Sequence, residues 1–327
     1  MRAITTVDYH TAGEPFRIVT GGVDPIPGST VLEKRRWAQE HLDDVRAFLV
    51  NEPRGHADMY GCFVTEPTDP ESDLGVLFFH NAGFSTACGH GTIALATYAL
   101  DAGLLPAAEP ETELVVDVPS GSLPVVASVA DGRVSTVRFR NVPSFVQAEA
   151  LRVPTSRGEL TVDVAFGGAF YASVAVEQAG LGVRPADLPA LVELGREVKR
   201  QVESAGDVVH PDEPELRDVY GVIFFQDEGR DPLVQRNVTV FADGEVDRSP
   251  CGSGTSARLA LLHARGELGL DEPLLHRGIV GTEFVGRVVA EAPAGVITEV
   301  AGSAYRTGEH RFVLDADDPL RTGFLLR

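Results

Sequence analysis

Two stretches decide how this chain is read: STACGHGTIAL, Ser85–Leu95, and SPCGSGTSARLAL, Ser249–Leu261. Each holds Cys-Gly-X-Gly-Thr and runs into an Ala/Leu-rich segment. Their cysteines, Cys88 and Cys251, stand 163 residues apart in a chain of 327. Two further pairs keep similar spacing in the same order. TVDYHTAGEPFRIV from Thr6 aligns with TVDVAFGGAFYASV from Thr161, an offset of 155 that matches Gly13 with Gly168. DMYGCFV from Asp58 aligns with DVYGVIF from Asp218, an offset of 160. A diverged tandem duplication explains all three, and its period is far too long for a solenoid.

The duplication sets the expected architecture. An N-terminal half over 1–145 carries Cys88 and a C-terminal half over 146–314 carries Cys251, with the tail 315–327 packing back onto the first. Each half begins with a strand pair. An amphipathic helix follows: STVLEKRRWAQEHLDDVRAFLV in the first half, with Thr30 and Glu33 at capping-box spacing, and DLPALVELGREVKRQVES in the second. Further strands lead to the Cys-Gly loop and a second helix that is apolar nearly all round, hence buried. Gly103 and Gly266 suit the C-terminal ends of these helices. The fold class expected is α/β: two pseudo-symmetric halves, each a buried central helix wrapped by strands, related by a pseudo-twofold axis, with the active site in the cleft between them.

Composition removes several functions. The formal net charge of −20 argues against nucleic-acid backbones and anionic membrane surfaces, both of which call for basic patches. No apolar run is long enough to span a bilayer, and the N-terminus lacks the apolar core of a signal peptide. Three cysteines form no disulfide framework, so a cytoplasmic protein is expected. NVT at Asn237 fits a glycosylation sequon but lies in a strand-like run.

Glycines around a residue just before a helix let backbone N–H groups meet an anion, and the helix N-terminus adds positive potential. No lysine follows the glycines, so a carboxylate fits better than a phosphate. A thiol at a helix N-terminus is expected to have a lowered pKa and to act as acid or base near neutral pH. Two such thiols, one per half, suit removal of a proton from one face of a carbon and return of a proton to the other. A lone cysteine is most often a small buried hydrophobe. That reading suits Cys62 in YGCFV; for Cys88 and Cys251 the recurrence of the whole loop argues against it.

These residues resemble the proline racemase family. CGHGT from Cys88 and DRSPCGSGTSA from Asp247 carry the resemblance, with HTAGEP from His10, EPRGHADMYG from Glu52, NVPSF from Asn141, AFGGAFYA from Ala165 and GSAYRTG from Gly302. The family holds proline racemases, 4-hydroxyproline 2-epimerases and trans-3-hydroxy-L-proline dehydratases, with a fold like that of diaminopimelate epimerase and no cofactor. The resemblance implies that Cys88 and Cys251 are the acid/base pair. It implies that backbone N–H groups of Gly89, His90, Gly252 and Ser253 hold the substrate carboxylate, that His90 and Asp247 hold the ring nitrogen, and that Phe241 walls the ring. Asp247 also suits a plain turn in GEVDRSP, and His90 a core or capping histidine. The dehydratases typically carry Thr or Ser at the second cysteine, because elimination of water needs one base. Cys251 therefore favours racemisation or epimerisation of proline or hydroxyproline, with dehydration as the alternative. Ala87 stands where Met is common. A monomer or a homodimer fits equally.

Rival chemistries have thin support. Pyridoxal phosphate needs a lysine, and the two present, Lys34 and Lys199, lie in charged helix stretches. Zinc on Cys88, His90 and Cys251 lacks a second Cys-His cluster. A cysteine hydrolase needs one nucleophile and a base, not two equivalent thiols. A non-catalytic amino-acid-binding module has no use for paired thiols.

Overall fold

A computed structural model of the chain describes residues 2–326. It is a mixed α/β fold in which two compact units form: 1–137 together with 303–327, and 138–302. The first unit opens with β1 (Arg2–Thr11), β2 (Glu14–Gly21), α1 (Val31–His41) and α2 (Asp43–Val50). It continues through β3 (Tyr60–Thr65), β4 (Leu74–His80), β5 (Gly83–Phe84), α3 (Gly89–Asp101), β6 (Glu111–Val118) and β7 (Gly121–Ala130). β8 (Arg133–Arg140) runs through the boundary between the units. The second unit holds β9 (Phe145–Thr155), β10 (Gly158–Phe166), β11 (Phe170–Ala175), α4 (Leu188–Ala205), β12 (Val219–Arg230), β13 (Leu233–Phe241) and β14 (Glu245–Asp247). After these come α5 (Gly252–Ala264), β15 (Leu274–Arg277), β16 (Glu283–Ala292) and β17 (Gly295–Gly302). The last strand, β18 (Ala304–Leu314), belongs to the first unit.

The pairing repeats from unit to unit. In the first, β18 and β1 are antiparallel, β1 and β2 antiparallel, β2 and β3 parallel, β3 and β4 antiparallel, β4 and β6 parallel. In the second, β9, β10, β11, β12, β13 and β15 show the same sequence of senses. A parallel pair needs a long crossover, which a helix supplies. α1 and α2 make the first crossover of unit 1 and α4 that of unit 2; α3 and α5 make the second crossovers.

Backbone geometry marks the duplication residue by residue. Gly13 and Gly168, at the hairpin corners, have φ of 93° and 95°; Asp58 and Asp218 have 62° and 66°; Gly103 and Gly266 have 69° and 67°. The two last glycines close α3 and α5 alike. Leu104 N–H reaches Ala99 O and Glu267 N–H reaches Leu262 O, as a left-handed residue past a helix end permits.

α3 and α5 each have 13 residues and are buried along nearly their whole length. α3 packs on β1, β2, β7 and β18, and α5 on β9, β10, β11, β16 and β17. The outer helices are amphipathic instead. Leu191, Leu194, Val198 and Val202 of α4 meet Val222, Phe224, Val238 and Val240, each such side chain contributing roughly 1.5–3 kcal/mol on burial.

Three expectations change. The segment over 29–50 is two helices, because Leu42 leaves helical geometry (φ −123°, ψ 9°) to bury its side chain, and Asp43 and Asp44 start a new first turn. Thr30 does cap α1, accepting from Glu33 N–H at 3.1 Å. Lys34 is buried, not in a charged face, and its Nζ donates to Glu66 O. The third concerns the unit boundaries. Residues 304–314 pair with β1 from Arg2↔Leu314 to Thr11↔Ala304, so the first unit is completed by the end of the chain and the second stops at Gly302. β9 does for β10 what β18 does for β1, but β9 directly precedes its partner. The tail follows β18 into the first unit, where Phe324 and Glu52 exchange backbone hydrogen bonds.

Candidate active site

The repeated pentapeptide can be built atom by atom. Each cysteine occupies the N-cap of its buried helix. The Thr four residues on holds the cysteine's carbonyl twice: Thr92 N–H and Oγ1 both reach Cys88 O at 2.9 Å, and Thr255 N–H and Oγ1 both reach Cys251 O at 2.7 Å. The second glycine makes room for sulfur. A Cβ on Gly91 would lie 2.7 Å from Cys88 Sγ and 2.5 Å from the Phe16 ring; one on Gly254 would lie 2.9 Å from Cys251 Sγ. First-turn N–H groups project from a helix N-terminus without intrahelical acceptors. Gly89, His90, Gly252 and Ser253 occupy those turns.

Around Cys88 the site is aromatic. Its Sγ accepts from Gly91 N–H at 3.2 Å, an N-cap bond with sulfur in the usual place of oxygen. The His90 ring lies against it, Nδ1 at 3.4 Å and Nε2 at 3.5 Å. Phe16 and Tyr60 meet that ring edge-on, with centroids at 5.5 and 4.9 Å. Tyr60 donates to Ser85 Oγ, and Thr11 Oγ1 donates to His90 O at 2.9 Å. His90 is thus brought to the sulfur itself.

Cys251 is held differently. Its φ is 63°, a conformation costly for any residue but glycine, by roughly 1–3 kcal/mol. A short chain of bonds holds it there: Cys251 N–H donates to Ser249 Oγ at 3.1 Å, and Ser249 N–H donates to Asp247 Oδ1 at 2.8 Å. Its Sγ donates to Tyr171 Oη at 3.6 Å, and Tyr171 Oη lies 2.6 Å from Ser253 Oγ. Tyr171 meets Tyr220 edge-on at 5.8 Å, and Tyr220 stacks on Phe241 at 5.5 Å.

Burial sets the electrostatics of this half. It lifts the Asp247 carboxyl to about 6, against the bonds from Ser249. The Cys251 thiol is pushed up to about 12, by burial first and by the Asp247 charge second, which outweigh the bonds from Tyr171, Gly254 and Thr239. That reverses the lowered thiol expected from a helix N-terminus: desolvation of a thiolate outweighs the helix ends. Cys251 is therefore a protonated thiol at neutral pH. Cys62 is fully buried in β3 and its thiol is also driven up by burial, as a core side chain.

Sequence reasoning passed over Tyr171, Tyr220, Phe16 and Tyr60. A signal existed. Tyr60 and Tyr220 are the tyrosines of DMYG and DVYG, and Phe16 aligns with Tyr171 at the same offset that matches Gly13 with Gly168. Two quoted stretches also acquire a use. A Cβ on Gly167 would lie 2.2 Å from Ser253 O, so this glycine lets β10 approach the first turn of α5. Asn141 Nδ2 donates to Gly167 O at 2.8 Å and holds that corner. His10 and His56 make local backbone contacts instead, with Gly13 N–H and Ala57 O. Among the described residues no group of three or more His, Cys, Asp or Glu is placed to hold a metal ion, and no helix is long and apolar enough to cross a membrane.

The two half-sites share one design, a thiol at the head of a buried helix. The chain belongs to the proline racemase family, whose model, described as proline racemase, matches residues 6–325. It is 45% identical to a trans-3-hydroxy-L-proline dehydratase of Bacillus cereus over 98% of each chain. It is also 45% identical to a 3-hydroxyproline 2-epimerase of Burkholderia multivorans, over 100% of this chain and 99% of that one. A hydroxyproline epimerase from Agrobacterium vitis, solved with trans-4-hydroxy-L-proline bound, superposes with a TM-score of 0.92 at 34% identity, covering 99% of this chain and 96% of that one.

Proposed function

We propose that the chain inverts Cα of proline or a hydroxyproline without a cofactor, with Cys88 and Cys251 as the two acid/base groups. One observation carries this: both copies of the duplicated loop keep a thiol at the same N-cap, on helices of equal length. One sulfur takes the Cα proton as thiolate, and the other returns a proton to the opposite face as thiol. Cys251, protonated at neutral pH, is the resting acid, which leaves the base role to Cys88 in the first turnover; the roles exchange with substrate handedness. N–H groups of Gly89, His90, Gly252 and Ser253 take the substrate carboxylate and stabilise the charge that develops as the proton leaves. Asp247 and His90 flank the ring nitrogen, and Phe241 walls the ring. All three cysteines are free and buried, which suits a reducing compartment and a cytosolic enzyme.

Dehydration of trans-3-hydroxy-L-proline is the second reading, favoured by 45% identity to a protein of that name. It begins with the same proton abstraction. If hydroxide leaves C3 before the opposite thiol delivers its proton, the product is the unsaturated ring; otherwise Cα is inverted. A protonated thiol at Cys251, ready to deliver its proton, favours inversion. The test is a panel of L-proline, trans-4-hydroxy-L-proline, cis-4-hydroxy-D-proline and trans-3-hydroxy-L-proline, run in deuterium oxide and read by chiral chromatography and mass spectrometry. Epimers labelled at Cα support the proposal. Loss of water from the 3-hydroxy substrate with no epimer from any of the four overturns it in favour of the lyase.

A further inference from the structure

Tyr171 lies outside the acid/base pair and outside the groups assigned to the carboxylate and ring nitrogen. It is a fully buried phenol whose oxygen touches two polar atoms, Cys251 Sγ at 3.6 Å and Ser253 Oγ at 2.6 Å. Its counterpart in the duplication is Phe16, which has no hydroxyl and meets the His90 ring. The second unit thus carries a pair of hydroxyls beside its sulfur where the first carries an imidazole.

A pair of hydroxyls can solvate a sulfur in both of its charge states. When Cys251 is a thiol, S–H donates to Tyr171 Oη and the phenol O–H donates to Ser253 Oγ. When it is a thiolate, the phenol turns its O–H to Sγ and the Ser253 hydroxyl turns to donate to Tyr171 Oη. Two O–H bonds rotate, no heavy atom moves, and no proton passes along the chain. The phenol itself stays protonated, because burial and the neighbouring sulfur push it well above the usual tyrosine range.

We propose that Tyr171 is a positioning residue that, with Ser253, stabilises the thiolate form of Cys251 through this reorientation. The proposal rests on Cys251 being an acid/base group, as argued above. The other groups around the sulfur do not supply this exchange. Asp247 accepts from the thiol but opposes a thiolate by its charge, Thr239 and the Gly254 N–H are donors that take no part in the exchange along the Tyr171–Ser253 pair of hydroxyls, and Tyr220 reaches Tyr171 only by its ring edge.

The test is the rate at which limiting iodoacetamide alkylates each cysteine of the full chain, resolved by peptide mass spectrometry between pH 7 and 10. Alkylation requires thiolate. In Tyr171→Phe the Cys251 rate falls about tenfold at each pH, as expected for loss of a hydrogen bond to a charged group. The Cys88 rate, measured in the same tube, stays within twofold. An unchanged or faster Cys251 rate in a folded Tyr171→Phe protein overturns the proposal, and so does an equal fall at both thiols. If Tyr171→Phe does not fold, Ser253→Ala takes its place: a slower Cys251 with rescue by Ser253→Thr supports the pair, and no slowing overturns it. Because no turnover is measured, this outcome is independent of whether the panel of prolines reacts.

Discussion

The Cys88 and Cys251 half-sites share a pentapeptide, a helix length and a strand plan, yet hold sulfur by different means. Cys88 sits in extended backbone (φ −156°), takes an N–H from Gly91 and leans on an imidazole. Cys251 sits at positive φ and is surrounded by hydroxyls and a carboxyl. Duplication fixed where the sulfur stands; later divergence fixed what it touches. The lesson is that equal backbone placement is compatible with unequal surroundings. The proposed two-base reaction calls for one charged and one neutral sulfur at the start of each turnover, and those roles exchange with substrate handedness.

The comparison breaks most sharply at the thiols themselves. Cys88→Ser and Cys251→Ser are each expected to lower inversion of the preferred substrate by about three orders of magnitude or more, the usual worth of a positioned acid/base group. Chiral chromatography measures it. One serine variant keeping a tenth of the activity would show that the halves are not both acid/base groups.

The glycines come next. Gly91→Ala is expected to cost about a hundredfold in kcat/KM, since its methyl meets both Cys88 Sγ and the Phe16 ring, and a displaced reacting group is expensive. Gly254→Ala, with Cys251 Sγ at 2.9 Å and Ile223 at 3.0 Å, is expected to cost about tenfold. The reverse order would mean that the first sulfur has more freedom than its aromatic surroundings imply.

Asp247 gives a smaller, pH-dependent contrast. Its folded pKa of about 6 is raised above the ordinary carboxyl value. The stability tied to its protonated form is therefore complete below pH 4 and lost as pH rises through 6, by about 2–3 kcal/mol. Asp247→Asn should flatten that part of the Tm profile between pH 4 and 7. It should also remove an acid limb near pH 6 from kcat/KM, since only the carboxylate balances a protonated ring nitrogen. Calorimetry and a rate profile test the two parts separately. The smallest effect belongs to Cys62: Cys62→Ala should leave kcat/KM within twofold and lower stability by about 1 kcal/mol for the lost sulfur. A larger loss of rate would add a third thiol to the chemistry.

Much of this was legible before any coordinates. Cys88, Cys251, Gly89 and Gly252 declare themselves by recurrence, and the buried helices by apolar residues on every face. Tyr171 did not, because its role depends on a contact across 82 residues of sequence that no local pattern encodes. The acidity of Cys251 was misjudged for a related reason. A helix N-terminus is visible in sequence, whereas burial among Asp247, Tyr171 and Ile223 is a property of the assembled strands. Leu42 was unreadable as a helix break because it satisfies the apolar spacing on both sides of it.

The placement of β18 has an outcome in time. Residues 138–302 follow one another without interruption, so the second unit has every strand it needs within one continuous segment. The first unit needs a strand that is synthesised only after the whole second unit. Cutting the chain before Ala304 is therefore expected to strip β1 of its partner and to injure the unit that carries Cys88 rather than the one that carries Cys251.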